Sequence, residues 1–317
     1  MNSNTFIFAG ESYMVRESVN KLKSSLDIQY PEMNVTEYKN MPKADELIEA
    51  CFSVPFMSDI RFIAVYSCTA LTAKGSADDS RKIAEALKKL PASTVIALCT
   101  EDALDKRRAL YTYISKQGTV KEFSVPTAAD CVSFAQKKSR DYGASMPAKA
   151  ASMLVAAVGC DYFAIDNETA KLAAYCGYGE ITAKHVEECA AKSLEYNVFE
   201  IHGLLAGGQA GKAKKLLEDI LRTERPEGLI GLIARKIRDM YKVKTMADLK
   251  YPASKIAEVT GIKGFVVDML KKESARFTQQ DLRDALVRLA ELDYGIKSGE
   301  ADASLALPET LMTIYKL

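Results

Sequence analysis

Thr5-Phe6-Ile7-Phe8-Ala9-Gly10-Glu11-Ser12-Tyr13-Met14-Val15-Arg16-Glu17-Ser18 reads as an apolar strand, a glycine turn and the start of a helix. A nucleotide-binding αβ domain would hold its phosphates at this place. A P-loop needs Gly-x4-Gly-Lys-Ser/Thr, because backbone amides wrap the phosphates while the lysine and hydroxyl supply charge and metal contact. Here Gly10 is followed by an acid, Glu11, then by Ser12 and the bulky Tyr13. A phosphate would meet a carboxylate, so the frame is that of an NTPase and the nucleotide chemistry is missing.

Outward from this stretch the first part of the chain alternates. Strands are expected at 5–9, 35–38, 61–66, 94–99 and 119–123, with helical patterns at 12–26, 44–52, 79–90 and 105–116 between them. Such βαβ alternation implies a parallel sheet with helices on both faces. Pro91 and Gly118 stop two of those helices. Beyond Phe123 the strand signals end. Helices are expected over 127–142, 147–158, 167–176 and 182–194, then in a run from Asn197 around the glycines at 207–211. Pro226 opens a long helix with Ile233, Ile237, Met240 and Tyr241 at helical spacing, and shorter helices follow at 253–260, 264–273, 278–298 and 308–315. An αβ domain with a helical lid behind it is the plan of AAA+ modules, although order of elements alone is an analogy of fold.

The 317 residues suffice for two or three domains, and 48% hydrophobic with 27% charged residues is ordinary for a globular chain. A net charge of +1 gives no bulk attraction to nucleic acid. Apolar runs such as 62–65 and 153–158 are far shorter than the ~20 residues of a membrane span. With no signal-peptide pattern near Met1, a cytoplasmic location is expected. The seven cysteines (51, 68, 99, 131, 160, 176 and 189) are scattered without a Cys-x2-Cys pair, so most are expected as small core residues in a reducing compartment. Only His185 and His202 are available for histidine chemistry, and His202, among Ile201, Leu204 and Leu205, is expected to be packed in a helix.

Three segments offer surfaces. In Cys51-Phe52-Ser53-Val54-Pro55-Phe56-Met57-Ser58-Asp59, Pro55 forces Val54 out of the α region and leaves Phe56 and Met57 on a connection. Two outcomes fit: a core plug at the sheet edge, the commoner fate of such side chains, or an exposed aromatic anchor with an adaptable methionine. Asp105-Lys106-Arg107-Arg108 reads as the solvated start of a helix. Arg235, Lys236, Arg238, Lys242 and Lys244 give the long helix a basic side, yet 196–317 carries 20 Lys and Arg against 17 Asp and Glu. A balance of +3 supports weak or shared nucleic-acid contact at most. No Ser-His-Asp, Cys-His or paired-carboxylate arrangement is visible, and the chain reads as non-catalytic.

Together these segments resemble the delta subunits of the bacterial DNA polymerase III clamp loader, nearly end to end. The resemblance rests on Phe6 to Glu17, on Val54-Pro55-Phe56-Met57-Ser58-Asp59 before the strand Ile60 to Val65, on Asp105 to Tyr111, and on Leu289 to Glu300. It implies an α+β multidomain chain: an AAA+-like αβ domain with a parallel sheet and no functional P-loop over 1–141, a small helical lid over 142–195, and an all-α collar over 196–317. It further implies that Phe56 is the main plug into the beta sliding clamp, with Pro55 shaping the turn and Val54 and Met57 adding apolar contact. That reverses the preference for a core plug. One ring interface of the clamp would open for loading on primer-template DNA. The implied partners through the collar are the tau/gamma and delta prime subunits, ATP would be bound by partner loader subunits, and this chain has no cofactor and no catalysis of its own within the polymerase holoenzyme. Pro55 stands where some relatives have Leu.

Two rivals remain. A diverged ATPase would need a lysine near Gly10, whereas the next one is Lys21, well inside the helix, and it could draw on the acidic pair Glu101-Asp102. A stand-alone DNA-binding protein would have to bind despite the small net charge.

Overall fold

Alternation of side chains along five short strands builds the first half of the molecule. The structure, a computed structural model, describes residues 4–262 and 264–316. The chain divides into two compact units, Met1–Phe134 and Ala135–Leu317. In the first unit the elements run β1 (Thr5–Gly10), α1 (Ser12–Ser24), α2 (Pro31–Asn34), β2 (Val35–Tyr38), α3 (Ala44–Phe52), β3 (Arg61–Val65), α4 (Ala77–Leu87), β4 (Thr94–Thr100), α5 (Ala109–Gln117) and β5 (Thr119–Phe123). The strands pair in the order β2-β3-β4-β1-β5, all parallel.

Both faces of this sheet are covered. Ile7, Ile63, Val65, Ile96 and Leu98 pack on Leu47 of α3, Ile83 and Leu87 of α4, and Leu110 and Ile114 of α5. Their neighbours in sequence, Phe8, Phe62, Ala64, Val95 and Cys99, point the other way onto Val15 and Val19 of α1. A strand buried on both faces needs an unbroken apolar run, and every residue of β4 is buried. Gly10 closes β1 with φ +105, and a Cβ there would lie 1.9 Å from the Phe123 carbonyl oxygen. Only glycine fits that crossing of β1 and β5.

Past β5 the chain is helical: α6 (Ala128–Asp141), α7 (Ala148–Val158), α8 (Tyr162–Tyr175), α9 (Ala183–Cys189), α10 (Leu194–Ala206), α11 (Ala210–Leu221), α12 (Pro226–Asp248), α13 (Ala253–Thr260), α14 (Gly264–Ser274), α15 (Gln279–Ser298) and α16 (Ala303–Tyr315). One core joins α10 to α16 through Ile201, Leu217, Ile233, Ile237, Val267, Leu289, Leu307 and Leu311.

The strands lie where the alternation predicts them, and the differences sit at helix ends. The helix expected over 182–194 breaks after Cys189. Ala190 is extended, and Ser193 caps a new helix by accepting from the Tyr196 amide. The last helix starts at Ala303, where Asp302 accepts from the Ser304 amide, so Pro308 lies inside it and not at its head. The helix expected from Asp105 starts at Ala109. The short α2 and a 3-10 turn at Thr69–Leu71 carry no periodic signal at all. Cys51, Cys68, Cys99 and Cys131 are buried as expected, whereas Cys160 is exposed and Cys176 and Cys189 are half-buried. His202 is buried in α10 and shares a hydrogen bond through Nδ1 with the Tyr315 hydroxyl.

Candidate functional site

The connection from α3 to β3 carries its apolar side chains outward. α3 ends at Phe52, with Ser53 extended and its amide on the Glu49 carbonyl at 3.1 Å. Beyond it Val54 is 86% exposed, Phe56 50% and Met57 69%, while Pro55 is half-buried. A core plug would have buried these groups. Three large apolar side chains facing water within four residues form an anchor-like surface instead, and Tyr30, Met33 and Phe52 are exposed as well. The Tyr30 ring meets the Phe56 ring edge-on, centroids 6.0 Å apart.

The connection is held from behind by Asn34, the last residue of α2. Its Oδ1 accepts from the Phe56 amide at 2.7 Å, and its Nδ2 donates to the Phe56 carbonyl at 2.8 Å. Nδ2 also reaches the carbonyls of Gln29 at 2.7 Å and Tyr30 at 3.3 Å. Ser58 Oγ accepts from the Gln29 amide at 3.2 Å. Arg61, at the start of β3, donates to the carbonyls of Ala50 and Met33 and to Thr36 Oγ1, so α3, α2 and β2 are tied at one point. Met57 and Tyr30 have φ of 46° and 50°. Left-handed backbone costs about 1–3 kcal/mol at a residue other than glycine and persists only where the surroundings enforce it.

At the Gly10 turn, the carboxylate of Glu11 caps α1. Its two oxygens accept from the amides of Tyr13 at 3.0 Å and Met14 at 2.8 Å. These are amides of the kind that a helix N-terminus offers to a phosphate. Lys21 pairs with Glu17 on the same helix at 3.1 Å, and Asp102 pairs with Lys74 at 2.7 Å. Among the described residues, no group of three or more His, Cys, Asp or Glu is placed to hold a metal ion, and no helix is long and apolar enough to cross a membrane.

Two charged segments differ from expectation. Asp105 to Arg108 is an ion-paired turn and not the first turn of a helix. Arg107 Nε lies 2.9 Å from Asp105 Oδ1, and Arg108 donates to the Gly75 carbonyl at 2.9 Å while its own backbone is extended. Hydrogen bonds from Arg107 hold the Asp105 carboxyl below the usual range. On α12, Lys236 is not on the basic side: it is buried, 3.0 Å from Glu273 Oε2 and 4.2 Å from the centre of the Phe199 ring. Arg235, Arg238 and Lys242 remain exposed, and Lys244 is half-buried beside Asp248 at 3.1 Å.

Residues 6–124 match the family model described as DNA polymerase III, delta subunit, and residues 195–314 match the one described as DNA polymerase III delta subunit, C-terminal domain. The chain belongs to the delta subunits of DNA polymerase III. It is 24% identical over 319 residues to DNA polymerase III subunit delta of Bacillus subtilis (strain 168), covering 98% of this chain and 92% of that one. The solved structure of the Bacillus subtilis DNA clamp loader delta protein (YqeN) superposes with a TM-score of 0.74 at 23% identity, over 100% of this chain and 96% of that one. That likeness is one of fold, and it agrees with the five-stranded parallel sheet followed by helices. Asn34, Tyr30 and Met33 have no signal in the sequence near residue 56, because they come from a segment some two dozen residues earlier.

Proposed function

We propose that the chain is the clamp-opening subunit of a DNA polymerase III clamp loader and that Val54, Pro55, Phe56 and Met57 bind the beta sliding clamp. The observation that carries this is the exposure of Val54, Phe56 and Met57 on a backbone tied down by Asn34. Exposed apolar groups already held in place lose little conformational entropy on docking, which favours affinity. Phe56 is the central plug, Pro55 sets the turn, and Val54 and Met57 widen the apolar contact.

Opening follows from differential affinity. A clamp protomer held in a shape that no longer matches its neighbour weakens one ring interface, and the ring can then pass onto primer-template DNA. ATP is bound by partner loader subunits, and this chain joins tau/gamma and delta prime through a collar over 196–317 behind a lid over 142–195. The chain contributes no catalysis, has no cofactor and works in the cytoplasm. The Glu11 carboxylate on the amides of Tyr13 and Met14 supports the absence of nucleotide binding, since a phosphate would compete with a built-in anion. The exposed Arg235, Arg238 and Lys242 on α12 support backbone contact with DNA inside the assembled loader.

The test is co-purification with the organism's sliding clamp, comparing wild type with Phe56→Ala at equal helicity. Retention of the clamp by wild type and its loss from the variant is expected. Equal retention by both would remove Phe56 from the interface.

A further inference from the structure

We infer that Asn34 is the positioning residue of the clamp-binding element: a buried side-chain amide that holds both the backbone amide and the carbonyl of Phe56 and so presents its ring. Asn34 is 0% exposed, and its side chain makes four hydrogen bonds, all to backbone groups. Two go to the amide and the carbonyl of Phe56, the pairing that a neighbouring strand would supply. The other two go to the carbonyls of Gln29 and Tyr30, so one side chain joins the turn that leads into α2 to the connection that leads into β3. An asparagine can do this because it carries donors and an acceptor on one short, rigid group. Aspartate has no donor for the three carbonyls, and leucine has neither donor nor acceptor.

The backbone on either side carries the same message. Tyr30, whose own carbonyl Asn34 bonds, and Met57, which follows Phe56, both sit at left-handed φ, and both have large exposed side chains. No helix or strand hydrogen bonds hold Phe56 itself, which lies between α3 and β3. Release of Asn34 therefore frees the element to relax into several conformers, of which only some present Phe56. An element that spends about a tenth of its time in the competent geometry binds about tenfold more weakly, with no contact to the partner changed.

The inference rests on the reading of Phe56 as the clamp plug, and the experiment separates the two. In the full-length wild-type chain, the Phe56 amide should exchange with solvent at least ~tenfold more slowly than an unstructured peptide amide, although the residue is half-exposed. Exchange at the unstructured rate would overturn the grip whatever any variant does. Clamp affinity is then measured for wild type, Asn34→Ala, Phe56→Ala and the double variant. Asn34→Ala should weaken binding about tenfold, ~1.4 kcal/mol, and have no further effect once Phe56 is alanine. Asn34→Asp, which keeps an acceptor for the Phe56 amide and loses the donor, should fall on the alanine side. An equal loss from Asn34→Ala in both backgrounds would mean that it acts elsewhere and would sink the positioning role. If Phe56→Ala binds as wild type does, the plug reading fails, while the exchange rate still decides the grip.

Discussion

Glu11 turns both carboxylate oxygens to the amides of Tyr13 and Met14 in the first turn of α1, and Gly10 before it crosses within van der Waals reach of Phe123. The missing phosphate lysine was legible from the sequence; the carboxylate's occupation of those amides was visible only in three dimensions. Gly10→Ala should cost more than ~2 kcal/mol, since its φ of +105 and the 1.9 Å approach to a backbone oxygen leave no room for a methyl group. Urea unfolding checks this. Phe56→Ala, at a half-exposed position outside the core, should change the unfolding free energy in the same measurement by no more than ~0.5 kcal/mol. The proline beside Phe56 marked the connection in the sequence, but the residue pattern alone favoured a buried plug, and only the family resemblance turned Phe56 outward. Asn34 was not legible there, because its partner is 22 residues away and no periodicity links them.

The central strands β1, β3 and β4 were the most legible elements, because a parallel sheet covered on both faces demands nearly continuous apolar runs there. Helix ends were less so, since they are set by single polar caps such as Ser193 and Asp302 that act over two or three residues. At the start of α15, Thr278 Oγ1 accepts from the Asp281 amide at 3.0 Å, and Asp281 Oδ2 accepts from the Thr278 amide at 2.7 Å. Thr278→Ala should cost about 1 kcal/mol in thermal or urea unfolding. The Thr278 amide and hydroxyl, with the Lys316 ammonium, hold the Asp281 carboxyl down to about 2 from its ordinary 3.8. A depressed carboxyl stabilises the fold above its unfolded value, so this part of the cap's benefit should fade as pH drops from about 4 towards 2.

At the scale of the whole molecule, composition and charge excluded more than they identified, and the helical half was legible as helices without its buried polar cluster. His202 is buried with Lys236, Glu273, Arg276 and Tyr315 as its charged or titratable surroundings. Burial first, then the Lys236 cation, keeps the His202 imidazole neutral well below its ordinary 6.5. The unfolded chain binds a proton below pH 6.5 that the folded chain refuses, so stability falls as pH drops through that range, by at most about 1.4 kcal/mol per pH unit. His202→Gln should flatten this slope between pH 6.5 and 5 in urea unfolding.

Lys236 was misplaced on the basic side because helical spacing does not reveal a salt bridge to a later helix. Of the expected basic side, this leaves Arg235, Arg238 and Lys242 exposed, too few to hold DNA alone. In the proposed function the weight at this scale falls on the apolar element in the first unit. The direct measurement is the affinity of the full-length chain for its purified sliding clamp, set beside Phe56→Ala and, as a control, Phe163→Ala at another exposed aromatic. Phe56→Ala should lose ~2–4 kcal/mol of binding while Phe163→Ala stays within ~0.5 kcal/mol of wild type. Wild-type affinity in Phe56→Ala, or equal losses in both variants, would show that the clamp is not held by this element.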